Sequence, residues 1–227
     1  MSGTMYGLDA AEPHRFDAMR QAMVTGQLRT TAVDDARLVA AFAKVQRQAF
    51  VPQGVREIAY RDTPVPLGRG RSLNAPMATG RLLNQAFLHP ADRVLLIGAA
   101  TGYAATVLAL LVREVVAVES DPTLAAAARA NLSGTPSVSV IEGPLEAGHA
   151  PGAPYDALVI DGAVGHVPAA LFEQLGIGGR LTTGLVDRGV TRLASGRRSD
   201  SGFGLTAFAD AECVVLPGFT SPAAFTF

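Results

Sequence analysis

The chain has 227 residues, a formal net charge of −1, 48% hydrophobic residues and a single cysteine. This length and composition favour one sizeable globular domain, and the near-neutral charge argues against nucleic acid or a membrane surface as a partner. One cysteine excludes an internal disulfide framework and a cysteine-based zinc site. No stretch is long and apolar enough to span a bilayer and no leader pattern opens the chain, so we expect a cytoplasmic protein.

Two helices are predicted in the first fifty residues. Pro13 suits the first turn of a helix that we expect to run to about Thr25 and to end at Gly26. Either Asp34 or Asp35 can cap a second helix, in which apolar residues recur at helical spacing.

The chain from residue 59 to residue 88 is predicted to be extended first and helical later. Pro64 and Pro66, at alternate positions, impose an extended path on residues 59–68. A third helix is expected over residues 77–88, leading into the centre of the chain.

The central stretch, residues 93–121, reads RVLLIGAATGYAATVLALLVREVVAVESD. An apolar run at 94–97 predicts a buried strand, and residues 103–111 carry apolar side chains at helical spacing. A second apolar strand at 115–118 ends in Glu119. A strand, turn, helix and strand, with an acid roughly 20 residues past the turn, is typical of a nucleotide-binding half of an α/β sheet.

The turn after the first strand has the composition of a ligand-binding loop. Glycines let the backbone approach a ligand closely, and the following helix points free N–H groups at it. A carboxylate at the end of the second strand can accept both hydroxyls of a ribose. A dinucleotide fingerprint would need glycines at Ala100 and Tyr103, so it does not apply. A plain α/β turn without a ligand is the alternative.

The remaining elements alternate between strand and helix until residue 183. Alternation of this kind predicts a doubly wound, mostly parallel sheet that binds ligands at the carboxyl ends of its strands. Near the C-terminus, two short strands flank a loop at 195–204 that is rich in Gly, Ser and Arg, which indicates a hairpin with a flexible tip. The expected elements are a helix at 122–132, strands at 138–141, 155–160 and 180–183, a helix at 169–175, and hairpin strands at 191–194 and 205–208.

Two sets of motifs carry a resemblance to known proteins. The spacing Gly98-x-x-x-Gly102 followed by an aromatic residue resembles the S-adenosylmethionine loop of class I methyltransferases. Over about residues 19–183 the chain also resembles the protein-L-isoaspartate O-methyltransferases. The motifs are Q-L at 27–28, F-V-P at 50–52, A-Y-x-D-x-P-x-P-x-G-x-G at 59–70, A-P-Y-D-A at 153–157 and G-G-R-L at 178–181.

The resemblance implies a Rossmann-like α/β fold of the class I S-adenosylmethionine-dependent methyltransferase type, with an N-terminal helical extension and a C-terminal antiparallel hairpin. We expect a single domain, with residues 1–90 as the helical and acceptor-loop segment and residues 91–227 as the cofactor-binding core. The implied reaction moves a methyl group from S-adenosylmethionine to a carboxylate of an isoaspartyl-damaged protein or peptide. Such a carboxylate, with a pKa near ~4, is already ionised at neutral pH and needs orientation rather than a base.

The resemblance also assigns cofactor contacts. Asp161, at the end of a central strand, has two alternative roles: a base for a hydroxyl acceptor, or a Mg²⁺ ligand with Asp187 as its partner. We expect no metal. The implied cofactor-binding residues are Gly98, Ala99, Ala100, Thr101, Gly102 and Tyr103 for the methionine portion, Glu119 and Ser120 for the ribose, Glu142 and Gly143 for the adenine, and Asp161.

The acceptor segment departs from the family pattern. The family carries G-Q-T-I-S-x-P, whereas residues 70–76 read G-R-S-L-N-A-P. The resemblance implies that Asn74 and Ser72 are catalytic and that Arg71, Leu73 and Asn74 bind the substrate. Asn74 retains an amide donor, and Arg71 adds a cation that can attract a carboxylate. The segment could equally be a loop that packs on the cofactor domain.

Four departures keep two other functions open. Leu96 replaces the usual acid of the cofactor loop, Ala100 its middle glycine, Asn74 the family serine and Pro144 a family glycine. One alternative is a related methyltransferase with a different acceptor. The other is a degenerate member that binds the cofactor or a partner without catalysis.

Overall fold

The computed structural model describes residues 11–219, with side chains from His14 onward. A seven-stranded sheet in the order β5-β4-β3-β6-β7-β8-β9 forms its centre, and a two-stranded ribbon, β1-β2, lies apart from it. The strands are β1 Val65–Gly68, β2 Arg71–Leu73, β3 Arg93–Ile97, β4 Glu114–Glu119, β5 Val138–Glu142, β6 Tyr155–Val164, β7 Leu175–Asp187, β8 Val190–Ser199 and β9 Gly202–Asp210.

Six α-helices surround this sheet within the described part of the chain. They are α1 Ala11–Met23, α2 Ala36–Lys44, α3 Pro76–Gln85, α4 Tyr103–Ala109, α5 Pro122–Asn131 and α6 Ala169–Phe172. Asp35, not Asp34, is the N-cap of α2, and Asp121 caps α5 with Pro122 in its first turn. The helix expected over 77–88 begins at Pro76 and ends at Gln85.

The strand order confirms the predicted doubly wound sheet. The five strands β5, β4, β3, β6 and β7 run parallel, and β8 and β9 add an antiparallel hairpin at one edge. Strand β3 is the centre: Leu95 is opposite Val116 on one side and Leu158 on the other. Since helices cover both faces of a parallel sheet, its central strands read as continuous apolar runs.

Alternate residues of β3 enter two different cores. Leu96 belongs to the same core as Phe42 of the N-terminal helix α2 and Tyr103 of α4. Leu95 packs on the opposite face, where Leu158 and Leu216 also lie. The second core therefore includes a residue that follows the last strand, and this residue contributes to the site described below.

The first helix does not stop at Gly26, as the glycine had predicted. The chain continues from α1 through a wider helical turn at Val24–Leu28 and a tight turn at Arg29–Thr31, and it reverses only at Ala32, which has a φ of 61°. Burial of Val24 and Leu28 keeps this turn helical, because packing outweighs the weak helix propensity of one glycine.

Two further boundaries differ from the sequence prediction. Strand β6 continues past Asp161 to Val164, and the segment 195–204 is mostly paired strand rather than a flexible tip, since only residues 200–201 separate β8 from β9. The Phe203 ring stacks on Phe172 with 4.1 Å between centroids, which anchors the hairpin to α6. The backbone pairing of β8 with β9 needs no apolar side chains, so it leaves no periodic pattern in the sequence.

No helix within residues 11–219 combines the length and the apolar composition that crossing a membrane requires.

Candidate functional site

The carboxyl ends of three adjacent parallel strands meet at one edge of the sheet. The loop 98–102 follows β3, Glu119 ends β4, and Asp161 lies near the end of β6. Ligands bind at this edge in open α/β sheets. The order of the strands therefore brings together the loop and the two acids that the sequence singled out.

The loop after β3 is held in a left-handed conformation. Gly98, Ala100 and Gly102 have φ values of 83°, 49° and 97°. The N–H groups of Gly98 and Ala99 both donate to Val118 O at 3.0 Å, and the Ala100 N–H donates to Glu119 Oε2 at 2.7 Å. These three N–H groups are hydrogen-bonded to strand β4 and are therefore not free to bind a ligand.

Glu119 is fully buried and its carboxylate is saturated with donors. Arg71 donates from both of its terminal nitrogens, Nη1 to Oε1 at 2.5 Å and Nη2 to Oε2 at 3.0 Å. The N–H groups of Ser120 and Asp121 donate to Oε1, and that of Ala100 donates to Oε2. The two guanidinium nitrogens and three backbone N–H groups are five donors to a carboxylate with about four lone-pair positions, so no acceptor capacity remains for a ribose.

Asn74 is buried in a second polar cluster. Its Nδ2 donates to Asp161 Oδ1 at 3.1 Å, and Thr79 Oγ1 donates to the same oxygen at 2.8 Å. Burial raises the pKa of Asp161, while the hydrogen bonds from Asn74 and Thr79 act in the opposite direction. The Asn74 Oδ1 accepts the N–H of Val214 at 3.2 Å, so this side chain also holds a segment far along the chain.

A fully buried arginine, Arg47, hydrogen-bonds to the backbone of the same cluster. Arg47 donates from Nε to Ala59 O at 2.6 Å and from Nη2 to Asn74 O, and its guanidinium lies 4.6 Å from the centre of the Tyr103 ring. Burial lowers the pKa of Arg47, and Tyr103 and then Asp161 partly offset that effect. Burial also raises the pKa of Tyr103 to about 12.

The chain after β9 returns across this edge of the sheet as the tail segment, residues 213–217. Its backbone adds a short parallel bridge to the end of β6: Ala163 N–H donates to Val214 O at 2.7 Å, and Leu216 N–H donates to Ala163 O at 2.9 Å. The Leu216 side chain packs against Gly98 and Gly162, because a Cβ on either glycine would come within 2.9 Å and 2.7 Å of it. Two glycines thus leave the room that Leu216 fills.

The other predicted site residues differ in burial and in what their side chains contact. Tyr103 points into the core and Thr101 donates its hydroxyl to Phe50 O, so neither side chain faces the cleft. Gly143 N–H donates to Glu119 O. Ser72 is half-buried, Leu73 is buried, Ser120 is exposed, and Glu142 lies at the surface 3.4 Å from Arg129.

Asp161 and Asp187 do not converge. Asp161 is buried against Asn74 and Thr79, whereas Asp187 is exposed at the end of β7 beside Arg192. Among residues 11–219, no group of three or more His, Cys, Asp or Glu side chains is placed to hold a metal ion.

The sequence indicated that the tail from Leu216 onward docks on the body, but not that Leu216 covers Gly98 or that Arg71 pairs with Glu119. The replacement of a neutral glutamine by Arg71 in a loop near a buried acid was the one available signal for the pair. For the tail, Gly98 and Gly162 both stand at strand ends, but nothing local indicated which side chain would cover them.

The family profile described as protein-L-isoaspartate(D-aspartate) O-methyltransferase matches residues 18–206. The chain belongs to this family. The match begins within α1 and includes the acceptor segment and the whole parallel sheet. Membership confirms the predicted family, fold class and cofactor, since the family uses S-adenosylmethionine.

Individual relatives agree with this assignment. The protein-L-isoaspartate O-methyltransferase of Methanoculleus marisnigri is 39% identical over 173 residues, which cover 75% of this chain and 78% of that one. Protein-L-isoaspartate O-methyltransferase 2 of Marinobacter nauticus is 38% identical over 206 residues, covering 88% and 93%.

Two solved structures share the fold at low sequence identity. One, titled protein-L-isoaspartate O-methyltransferase, has a TM-score of 0.78 at 21% identity and covers 88% of this chain and 67% of its own. The other, described as a putative enzyme of that name from Plasmodium falciparum in complex with S-adenosyl-L-homocysteine, has a TM-score of 0.75 at 17% identity and covers 89% and 98%. Similarity of this degree establishes the fold.

The cleft in this conformation does not fit the family's cofactor. Glu119, the group implied to hold the ribose, is paired with Arg71, and Gly98, implied to face the methionine portion, is covered by Leu216. Outside them lies a depression of about 460 Å³, which Arg71 and Leu216 line together with residues 120–122. A larger depression of about 570 Å³ lies between α1 and α2, away from the strand ends.

Proposed function

We propose that the chain is an S-adenosylmethionine-dependent O-methyltransferase that acts on a carboxylate of an isoaspartyl-containing protein or peptide. The observation that carries this proposal is the family match over residues 18–206, which spans both the acceptor segment 70–76 and the strands that bear Glu119 and Asp161. An isoaspartyl carboxylate is ionised at neutral pH, so the residues around it need only orient it and exclude water.

Methyl incorporation into an isoaspartyl peptide tests this function. The full chain is incubated with methyl-labelled S-adenosylmethionine and either the isoaspartyl peptide or the same peptide with ordinary aspartate. We expect base-labile label in the first peptide only, because a methyl ester is hydrolysed by base. Glu119→Ala, shown to be folded by circular dichroism, is the control. Equal labelling of the two peptides, or equal rates for the wild type and this variant, would reject the proposal.

The position of Asn74 favours a second candidate, a related methyltransferase with a different acceptor. Asn74 stands where the family carries its serine, and its amide is committed to Asp161 and Val214 rather than free for a substrate. Assays of Asn74→Ser at saturating S-adenosylmethionine separate the candidates, since saturation removes effects on cofactor affinity. A higher rate on the isoaspartyl peptide would assign the departure to this residue, and an unchanged rate would remove it as the cause.

A further inference from the structure

We propose that Arg71 and the tail segment form an internal plug in the cofactor cleft, so that S-adenosylmethionine binds only when both are displaced. This inference rests on the proposed function, because it concerns the cofactor of that reaction. It adds a control of cofactor affinity by the chain's own residues.

Arg71 is the first part of the plug. Its two terminal nitrogens donate hydrogen bonds to both oxygens of Glu119, and only 7% of Arg71 is exposed. Three backbone N–H groups already donate to this carboxylate, so with the bidentate guanidinium added no lone pair remains for two sugar hydroxyls. Ribose binding at Glu119 therefore requires Arg71 to leave. The neutral glutamine that the family has here cannot form such an ion pair.

Leu216 is the second part. It is 5% exposed and packs on Gly98 and Gly162 at the ends of β3 and β6. Glycines at strand ends let a ligand approach the backbone, and here an aliphatic side chain of the same molecule takes that room. The two parts border the same space, because Arg71 and Leu216 both line the depression outside the cleft.

The tail segment is attached to the body by a small set of contacts. Four hydrogen bonds connect residues 213–216 to it: two with Ala163, one with the Asn74 side chain and one with Thr191 Oγ1. The Cys213 and Leu216 side chains are buried, whereas Val215 between them is 59% exposed. Displacing the segment therefore means breaking four hydrogen bonds and exposing two side chains, a local opening rather than global unfolding. A ligand that enters from the depression meets Arg71 and Leu216 first.

A plug of this kind has a quantitative consequence. The apparent dissociation constant equals the intrinsic one divided by the fraction of molecules in the open state. Weakening the plug increases that fraction without touching the ligand, so the apparent affinity rises. A substitution that only removed a ligand contact would lower it. The direction of the change therefore separates a plug from a binding residue.

Calorimetric titration of the full chain with S-adenosylhomocysteine measures that direction. We expect Arg71→Gln to bind at least about tenfold more tightly than the wild type, and Leu216→Ala about threefold more tightly. Two matched controls lie outside the depression: Arg61→Gln, which removes an exposed cation, and Val190→Ala, which shortens an exposed valine of β8. Both controls should stay within about twofold of the wild type.

A second readout follows the tail segment itself. The amides of Ala163 and Leu216 are hydrogen-bonded in the plugged state, so their hydrogen exchange should accelerate when S-adenosylhomocysteine saturates the protein. Cys213, the only cysteine of the chain, reports the same event. Burial raises the pKa of its thiol to about 12, so it should react slowly with a disulfide reagent until the ligand releases the segment.

The outcomes distinguish the plug from the proposed function. Tighter binding by Arg71→Gln and Leu216→Ala, with ligand-induced exchange at Leu216, would support the plug. Wild-type binding as tight as that of both variants, or binding that leaves the Ala163 and Leu216 amides protected, would overturn the plug alone. Should neither the wild type nor any folded variant bind, the proposed function would fail with it. Leu216→Ala keeps the test decisive if Arg71→Gln does not fold.

Discussion

Asn74 occupies the position where the family carries its serine, yet its side chain serves the structure. The amide donates to the buried Asp161 and accepts from the Val214 N–H, so it connects the acceptor segment to strand β6 and to the tail segment. An asparagine has both a donor and an acceptor at the same distance from the backbone, and this geometry uses both.

Replacing the Asn74 amide, which donates to Asp161, with a carboxylate should destabilise the protein. Asn74→Asp places a second carboxylate against Asp161, and we expect a loss of about 3 kcal/mol in the free energy of unfolding at pH 8. Burial already raises the pKa of Asp161, and a group with a raised pKa stabilises most below its unfolded value and loses that contribution as pH rises. The loss should therefore be smaller at pH 5.

Urea denaturation at the two pH values measures this difference. Asn84→Asp is the matched control, because Asn84 also contacts a carboxylate, Asp34, but near solvent. We expect it to cost less than about 1 kcal/mol. Equal losses for the two variants, or a loss at position 74 that does not change with pH, would contradict the buried-carboxylate account.

At the scale of single elements, helix α2 depends on its cap. Asp35 accepts the Arg37 N–H at 2.8 Å through its side chain, whereas Asp34 does not cap the helix and contacts Asn84 instead. The sequence left these two aspartates as equal candidates, because either precedes the apolar pattern. The structure separates them, because α2 begins at Ala36 and Asp35 is the residue directly before it.

Asp35→Ala should lower the free energy of unfolding by about 1 kcal/mol at pH 7, and Asp34→Ala by less than half as much. The hydrogen bond from Arg37 lowers the pKa of Asp35. Its stabilising contribution is therefore present above the unfolded pKa near ~3.9 and is lost as pH falls through the lower folded value. In urea melts between pH 7 and pH 3, the difference in unfolding free energy between Asp35→Ala and the wild type should shrink. A constant difference would show that the charge of Asp35 does not contribute to the cap.

Helix α3 is placed by a glycine rather than by a cap. A Cβ on Gly80 would lie 2.7 Å from Leu28 Cδ2 and 3.3 Å from Val33, so an alanine there would force the fully buried Leu28 side chain to shift. The helix propensity of alanine favours the substitution, and the packing opposes it. The contact distance decides in favour of packing.

We expect Gly80→Ala to destabilise the protein by about 1–3 kcal/mol despite its better helix propensity. Gly26→Ala is the control: its Cβ would meet nothing within 4 Å, so it should be neutral or stabilising by up to about 1 kcal/mol. Thermal melts of both variants provide the comparison. A stabilised Gly80→Ala would show that Leu28 can move aside.

At the scale of the whole molecule, the N-terminal helices and the sheet share one core. Phe16 and Leu28 belong to the same cluster of buried residues as Val94 and Val159 of the central strands. A shared core couples the unfolding of its parts. This connection is the physical basis for expecting a single domain.

We therefore expect one cooperative unfolding transition. The chain has no tryptophan, so near-ultraviolet circular dichroism reports its tyrosines, among them the buried Tyr103 and Tyr155. Denaturation curves followed at these wavelengths and in the far ultraviolet should coincide. Two separated transitions would instead show that the helical extension unfolds on its own.

The sequence by itself determined the parallel sheet, the elements on either side of the central loop and the family. It could do so because strands buried on both faces are continuous apolar runs, because Asp121-Pro122 is a local capping signal, and because the family motifs are contiguous. Each of these signals lies within a few residues.

Only the tertiary structure decided what occupies the cofactor cleft. Arg71 and Glu119 are 48 residues apart and Asn74 and Val214 are 140 residues apart, so no local pattern relates either pair. The pairing of residues 195–204 was hidden for a related reason, since backbone hydrogen bonds between strands leave no mark on side-chain periodicity. The pairing of Arg71 with Glu119 and the packing of Leu216 on two glycines arise only when distant segments pack together.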